Sequence, residues 1–135
     1  MSIVQQNILL ALYERHFLPV ARFVLSKAGE DEVQASALAP VYMGTPQDTM
    51  EDVKALGAQL QQLEDGGLIT LDYDLSLSGY GYAEYTGSDL YAYFQKTVSE
   101  AAGTPDFLFD TAGLELGSMA LTEAGEKAVK DMIPA

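Results

Sequence analysis

Two short phrases constrain the fold of this chain most tightly: Leu63-Glu64-Asp65-Gly66-Gly67-Leu68-Ile69, and the ten residues from Ala120 through Thr122 and Gly125 to Val129. Ahead of the first, Met50, Val53, Leu56, Leu60 and Leu63 form a stripe at helical spacing, which Gly66-Gly67 stops. Beyond it, Leu68, Ile69, Leu71, Tyr73, Leu75 and Leu77 alternate with Thr70, Asp72, Asp74 and Ser76, the period of a half-buried strand. In the second phrase the apolar run Met119 to Leu121 ends a strand that starts somewhere after Phe107. Thr122 then caps a helix whose first-turn Glu123 suits the helix dipole. The pair frames a β-ribbon between two helices.

The preceding segment reads as helical. Ser2 to His16 places Ile8, Leu9, Leu12 and His16 on one broad face. A second helix is expected from Pro19, tolerated in its first turn, to about Ala28, with Gly29 ending it. A third is expected from Glu32 to about Tyr42, capped by Asp31 and buried through Val33, Ala37, Leu38 and Val41. Thr45 and Pro46 then open the long helix to Asp65. Roughly thirty residues separate the ribbon strands, too many for a structureless loop. A helix over about 88–103 fits there, with Leu90, Phe94, Val98 and Ala101 on one stripe and Gly103 with Pro105 ending it.

Composition narrows the function classes. The chain has 135 residues and no cysteine, which fits one domain and leaves no disulfide framework, thiolate metal site or cysteine nucleophile. The run Ile8 to Tyr13 falls far short of a membrane span and nothing before it resembles a signal peptide, so a cytoplasmic protein without a membrane partner is expected. The net charge is −13, unevenly spread. Residues 1–29 hold Arg15, Arg22 and Lys27 against Glu14, whereas residues 68–122 hold eight acids against Lys96.

This order of elements, with its "LEDGGLI" and "ALTEAGEKAV" transitions, resembles winged helix-turn-helix proteins, in particular bacterial transcriptional regulators of the general MarR and PadR kind. The resemblance implies an α+β fold: an N-terminal helix (1–17), a helix-turn-helix core (18–67), a wing with a helical insertion (68–122) and a C-terminal helix (122–133). It also implies that the helix from Thr45 enters the DNA major groove. The groove-facing candidates are Thr45, Gln47, Asp48, Glu51, Lys54, Ala55 and Ala58, with Thr45, Gln47 and Lys54 the best suited to duplex DNA. Phosphate neutralisation by Lys and Arg supplies most non-specific affinity, and about 6–10 such contacts are ordinary. This chain has seven basic residues in all, of which Arg15, Arg22, Lys27, Lys54 and Lys127 could form a local patch.

A second reading comes from the tyrosines. Six of the eight, Tyr73, Tyr80, Tyr82, Tyr85, Tyr91 and Tyr93, crowd into the ribbon and its insertion. Tyrosine gives large contact area at low entropic cost, so Tyr80, Tyr82, Tyr85, Tyr91 and Tyr93 are candidates for a protein-binding or dimerisation face; packing of the insertion onto the ribbon would use them equally well. The remaining constellations are weaker. His16 is a lone histidine, Asp72-x-Asp74 places two carboxylates on one strand face, Glu30-Asp31-Glu32 suits a helix N-terminus, and Gly79-x-Gly81 lacks the rest of a phosphate fingerprint. No catalytic, cofactor or metal site is expected. The sequence thus supports a non-enzymatic module of transcription-regulator type that binds DNA, or an acidic protein-interaction module on the same scaffold, in either case a homodimer paired through the apolar N-terminal helix or the tyrosine-rich insertion.

Overall fold

Ser2 opens the chain with a reciprocal cap: its hydroxyl accepts from the Gln5 N–H at 3.1 Å, and the Gln5 side chain accepts from the Ser2 N–H at 3.0 Å. Helix α1 (Ile3–Arg15) follows, and His16, at φ 73°, turns the chain straight into strand β1 (Phe17–Lys27). The computed structural model describes residues 1–133. After β1 come β2 (Glu30–Val41), α2 (Met50–Asp65), β3 (Ile69–Asp72), α3 (Ala83–Thr86), α4 (Asp89–Ala101), β4 (Thr111–Leu121) and α5 (Glu123–Met132). The four strands form one antiparallel sheet in the order β2-β1-β4-β3, which makes the fold α+β. Among the described residues no helix is long and apolar enough to cross a membrane.

The two helices expected over Pro19 to Ala28 and Glu32 to Tyr42 are strands, joined by a two-residue turn at Ala28-Gly29. β1 is apolar on both faces because both are covered. Leu18 and Val20 enter one core cluster, and Ala21 and Phe23 the other. A strand buried on both sides loses its period-two signature and reads as a helix segment. Pro19 is tolerated because β2 pairs with β1 only from Ala21 onward, so the missing donor breaks no β1–β2 bond. Glu30-Asp31-Glu32, expected at a helix N-terminus, is the exposed start of β2, and Glu30 lies 3.6 Å from Lys27 across the turn.

Strands over 17–41 leave no helix pair before α2, so the helix-turn-helix expected over 18–67 is not formed. The expected wing is also different in kind. β4 pairs with β1 along its length, from Phe17↔Ala120 to Ser26↔Thr111, and with β3 only from Ile69↔Leu121 to Asp72↔Ser118. It is therefore a central strand, not one arm of a free ribbon. The strand expected to reach Leu77 stops at Asp72, where the Asp72 carboxylate accepts from the Asp74 N–H at 3.0 Å and bends the chain away. Asp72 and Asp74 accordingly form a turn and share no strand face.

The two framing phrases dock against each other. The Thr122 N–H donates to the Leu68 carbonyl at 3.1 Å and its hydroxyl to the Gly67 carbonyl at 2.6 Å, while the same Thr122 oxygen accepts from the Gly125 N–H at 3.0 Å. Leu68 O sits so close to Gly125 that a side chain there would collide with it. One core cluster joins α1, α2 and α5 to one face of the sheet through Leu9, Leu12, Leu60, Leu63, Ile69, Met119 and Val129. On the other face, Phe23, Val41, Met43 and Val53 meet Tyr82, Tyr85 and Leu90 of the insertion.

Candidate interaction surface

The residues proposed to face DNA are built into a turn or surrounded by acids. Thr49, not Thr45, caps α2, accepting from the Asp52 N–H at 3.2 Å. Thr45 instead donates its hydroxyl to the Asp48 carboxylate at 2.8 Å, and the Gly44 N–H donates to the same group at 2.8 Å. Partial burial raises the Asp48 pKa, but these bonds outweigh it and hold the carboxyl below the usual range. The Gln47 N–H donates to the Thr45 hydroxyl at 3.3 Å. Lys54 is exposed on α2, with exposed Glu51 and Asp52 in the turn before it. Elsewhere Arg22 binds Glu115 at 2.5 Å and lies over the Tyr73 ring, Lys27 pairs with Glu30, and Lys96 pairs with Glu100 at 4.0 Å. Among the described residues this leaves Arg15, Lys54, Lys127 and Lys130 without ion pairs.

The tyrosine candidates separate by burial. Tyr82 and Tyr85 are 3% and 0% exposed, so they belong to the core and are corrected from an interaction face. The Tyr82 hydroxyl accepts from the Leu77 N–H at 2.7 Å and donates to the Gly117 carbonyl at 2.8 Å, tying the segment after β3 to β4. The Tyr85 hydroxyl accepts from the Met43 N–H at 3.2 Å. Tyr80 is half-buried and donates to Glu84, and half-buried Tyr91 packs on Phe23. Tyr93, 55% exposed, is the one open to a partner. The insertion thus uses most of its tyrosines to bind itself to the sheet, each ring filling volume while its hydroxyl satisfies a polar group.

This packing has a pH signature. Burial and the nearby Glu64 push the Tyr73 phenol up to about 12 against the opposing effect of Arg22. Burial raises Tyr85 despite its Met43 bond, and burial followed by the bond to Glu84 raises Tyr80. Unfolded tyrosines ionise near pH ~10. With the folded values higher, this stabilisation is complete below the unfolded value and is lost as pH rises through the folded ones. Urea midpoints should hold steady up to about pH 9 and fall between about pH 10 and 12, with Tyr73→Phe flattening the decline.

The apolar N-terminal helix, one of the two dimer faces expected from the sequence, carries exposed apolar surface that extends to Phe17, which the sequence reading did not single out. α1 buries Ile8, Leu9 and Leu12, yet Ile3 is 75% and Leu10 40% exposed on its far side, and Phe17 just beyond it is 53% exposed. Ile3 and Leu10, two turns apart, lie along one line of the helix. Gln6, Asn7 and Glu14 share this outer side, so its apolar residues are interleaved with polar ones. Phe17 separates two hollows. One, of about 700 Å³, is lined by residues including Leu12, Tyr13, His16, Leu121, Glu126 and Lys130. The other, of about 610 Å³, lies between Arg15 to Pro19 and the segment Leu75 to Tyr80.

No family model matches the chain, and no curated protein matches it. A solved structure of an uncharacterized protein from the hydrocarbon-degrading marine bacterium Alcanivorax borkumensis SK2 is similar, with a TM-score of 0.50 and 12% sequence identity over 98% of this chain and 86% of that one. At that identity the likeness speaks for the fold alone, so what it supports is the α+β architecture described above.

Proposed function

We propose that this chain is a non-enzymatic protein-interaction module that works as a homodimer, its contact surface being the outer face of α1 with Phe17. The observation that carries this reading is the exposure of Ile3, Leu10 and Phe17 beside a helix whose other face is already core. Covering the exposed fractions of these three in both copies would contribute roughly 5–10 kcal/mol, taking ~1.5–3 kcal/mol for a side chain that goes from fully exposed to fully buried. Association itself costs an estimated ~4–15 kcal/mol, so the dimer is concentration-dependent rather than permanent. The carboxylates that accept hydrogen bonds support a non-catalytic reading. Asp48 and Asp72 shape turns, Glu64 accepts from the Leu71 N–H, and Asp110 accepts from the Ala28 N–H. Duplex DNA is disfavoured as a partner by the acids around Lys54 and by the ion pairs that occupy Arg22, Lys27 and Lys96.

Salt separates the two partners. Two copies of net charge −13 repel, so added salt should strengthen an apolar dimer, whereas DNA binding weakens steeply with salt. In sedimentation equilibrium the chain should dimerise more tightly at high than at low ionic strength, and Leu10→Glu should be monomeric with an unchanged far-UV spectrum. Added duplex DNA should not co-sediment even at low salt. A chain that stays monomeric at every concentration, or one that binds the duplex, would overturn the proposal.

A further inference from the structure

We propose that the hollow between Arg15 to Pro19 and the segment Leu75 to Tyr80 binds a single-chain amphipathic carboxylate. Its volume of about 610 Å³ lies in the ~300–1,000 Å³ range of small-molecule sites. Phe17, Leu18, Leu75 and Leu77 give it apolar walls, and Arg15 is the one charged residue in its lining. Arg15 has no ion pair among the described residues. In a chain of net charge −13, an apolar hollow furnished with a cation and no acid is complementary to an apolar body with one negative end. The adjoining hollow of about 700 Å³ lacks this selectivity, because Glu126 stands in its lining with Lys130.

The outer wall is held in place from behind. Tyr82, buried, accepts from the Leu77 N–H and donates to the Gly117 carbonyl, so the segment carrying Leu75 and Leu77 is tied to β4. A wall ordered before the ligand arrives spares the ligand the cost of ordering it. An alkyl chain would lie against Phe17, Leu75 and Leu77, and the planar guanidinium of Arg15 would take the carboxylate in a paired, charge-assisted hydrogen bond.

Calorimetric titration of the full chain with decanoate, decanol and decyltrimethylammonium, each below its micellar concentration, tests this assignment. Decanoate should bind saturably, one per chain, ahead of decanol and well ahead of the ammonium. Arg15→Gln should weaken decanoate about tenfold, the size of one charge-assisted contact, and leave decanol unchanged. Leu75→Asp should weaken both; Leu75 is 57% exposed, so this variant and the Arg15 variant should keep the parental circular dichroism. Phe17 belongs to both surfaces, so the monomeric Leu10→Glu variant should bind decanoate at least as tightly as the parent, which shows that the site does not need the dimer. Equal affinity for the three amphiphiles, decanoate binding indifferent to Arg15→Gln, no saturable decanoate binding, or co-sedimentation with phosphatidylserine vesicles in place of decanoate binding would overturn the proposal.

Discussion

Truncating Tyr85 to alanine should cost about 3–5 kcal/mol, the range for removing a fully buried aromatic ring, and so consume a large share of the ~5–15 kcal/mol that ordinarily holds a domain together. Tyr85 is 0% exposed and sits where the insertion meets the sheet, clustered with Ala21, Phe23, Val41, Met43, Val53 and Tyr82. Its loss would leave a cavity lined by two strands and a helix, none of which can close it without giving up pairing elsewhere. Tyr85→Phe separates packing from polarity. The ring stays and the Met43 N–H loses its acceptor in a buried place, at a cost of about 1–3 kcal/mol. Urea denaturation should show both variants with lowered midpoints and unchanged slopes, alanine well below phenylalanine. An alanine variant as stable as the parent would place Tyr85 outside the core.

Gly117→Ala should be nearly as damaging, about 3 kcal/mol, for a different reason. A Cβ at Gly117 would run into the backbone of Asp72 and Tyr73, where the chain leaves β3. Overpacking against side chains costs ~1–3 kcal/mol because they adjust; backbone held in a ladder does not. Relief would require β3 to part from β4 at Asp72↔Ser118, and the bond from Tyr82 to the Gly117 carbonyl would go with it. Gly113→Ala on the same strand is the control. Its Cβ would lie 3.6 Å from Val24 Cγ2, an ordinary contact, so stability should stay within about 0.5 kcal/mol of the parent. Equal effects at the two positions in urea unfolding would show that strand propensity, rather than the close approach, decides the cost.

Local signals were legible wherever one residue acts on its immediate neighbours. Thr122 caps α5, Leu60 and Leu63 are buried on α2, and the insertion holds a helix with Leu90 and Val98 inward. The helix in the insertion was expected over about 88–103 and spans Asp89–Ala101. The candidate site was legible in part. The apolar N-terminal helix was expected as a dimer face, but nothing local marks Phe17 as exposed, since an apolar side chain declares that it prefers burial and not whether the fold has cover to give it.

By itself the sequence determined the α+β class, the helices at both ends and the two phrases that turn out to touch, because caps, glycine stops and short-range periodicity are set within a few residues. Only the tertiary structure decided that residues 17–41 are strands, that β4 is central, and that Tyr82 and Tyr85 are core. Each of these depends on what covers the second face of a segment, and that cover comes from residues far along the chain: β1 lies beside β4, and Met43 bonds Tyr85. A strand with one open face announces itself by alternation, whereas one enclosed on both looks helical until its neighbours are in place.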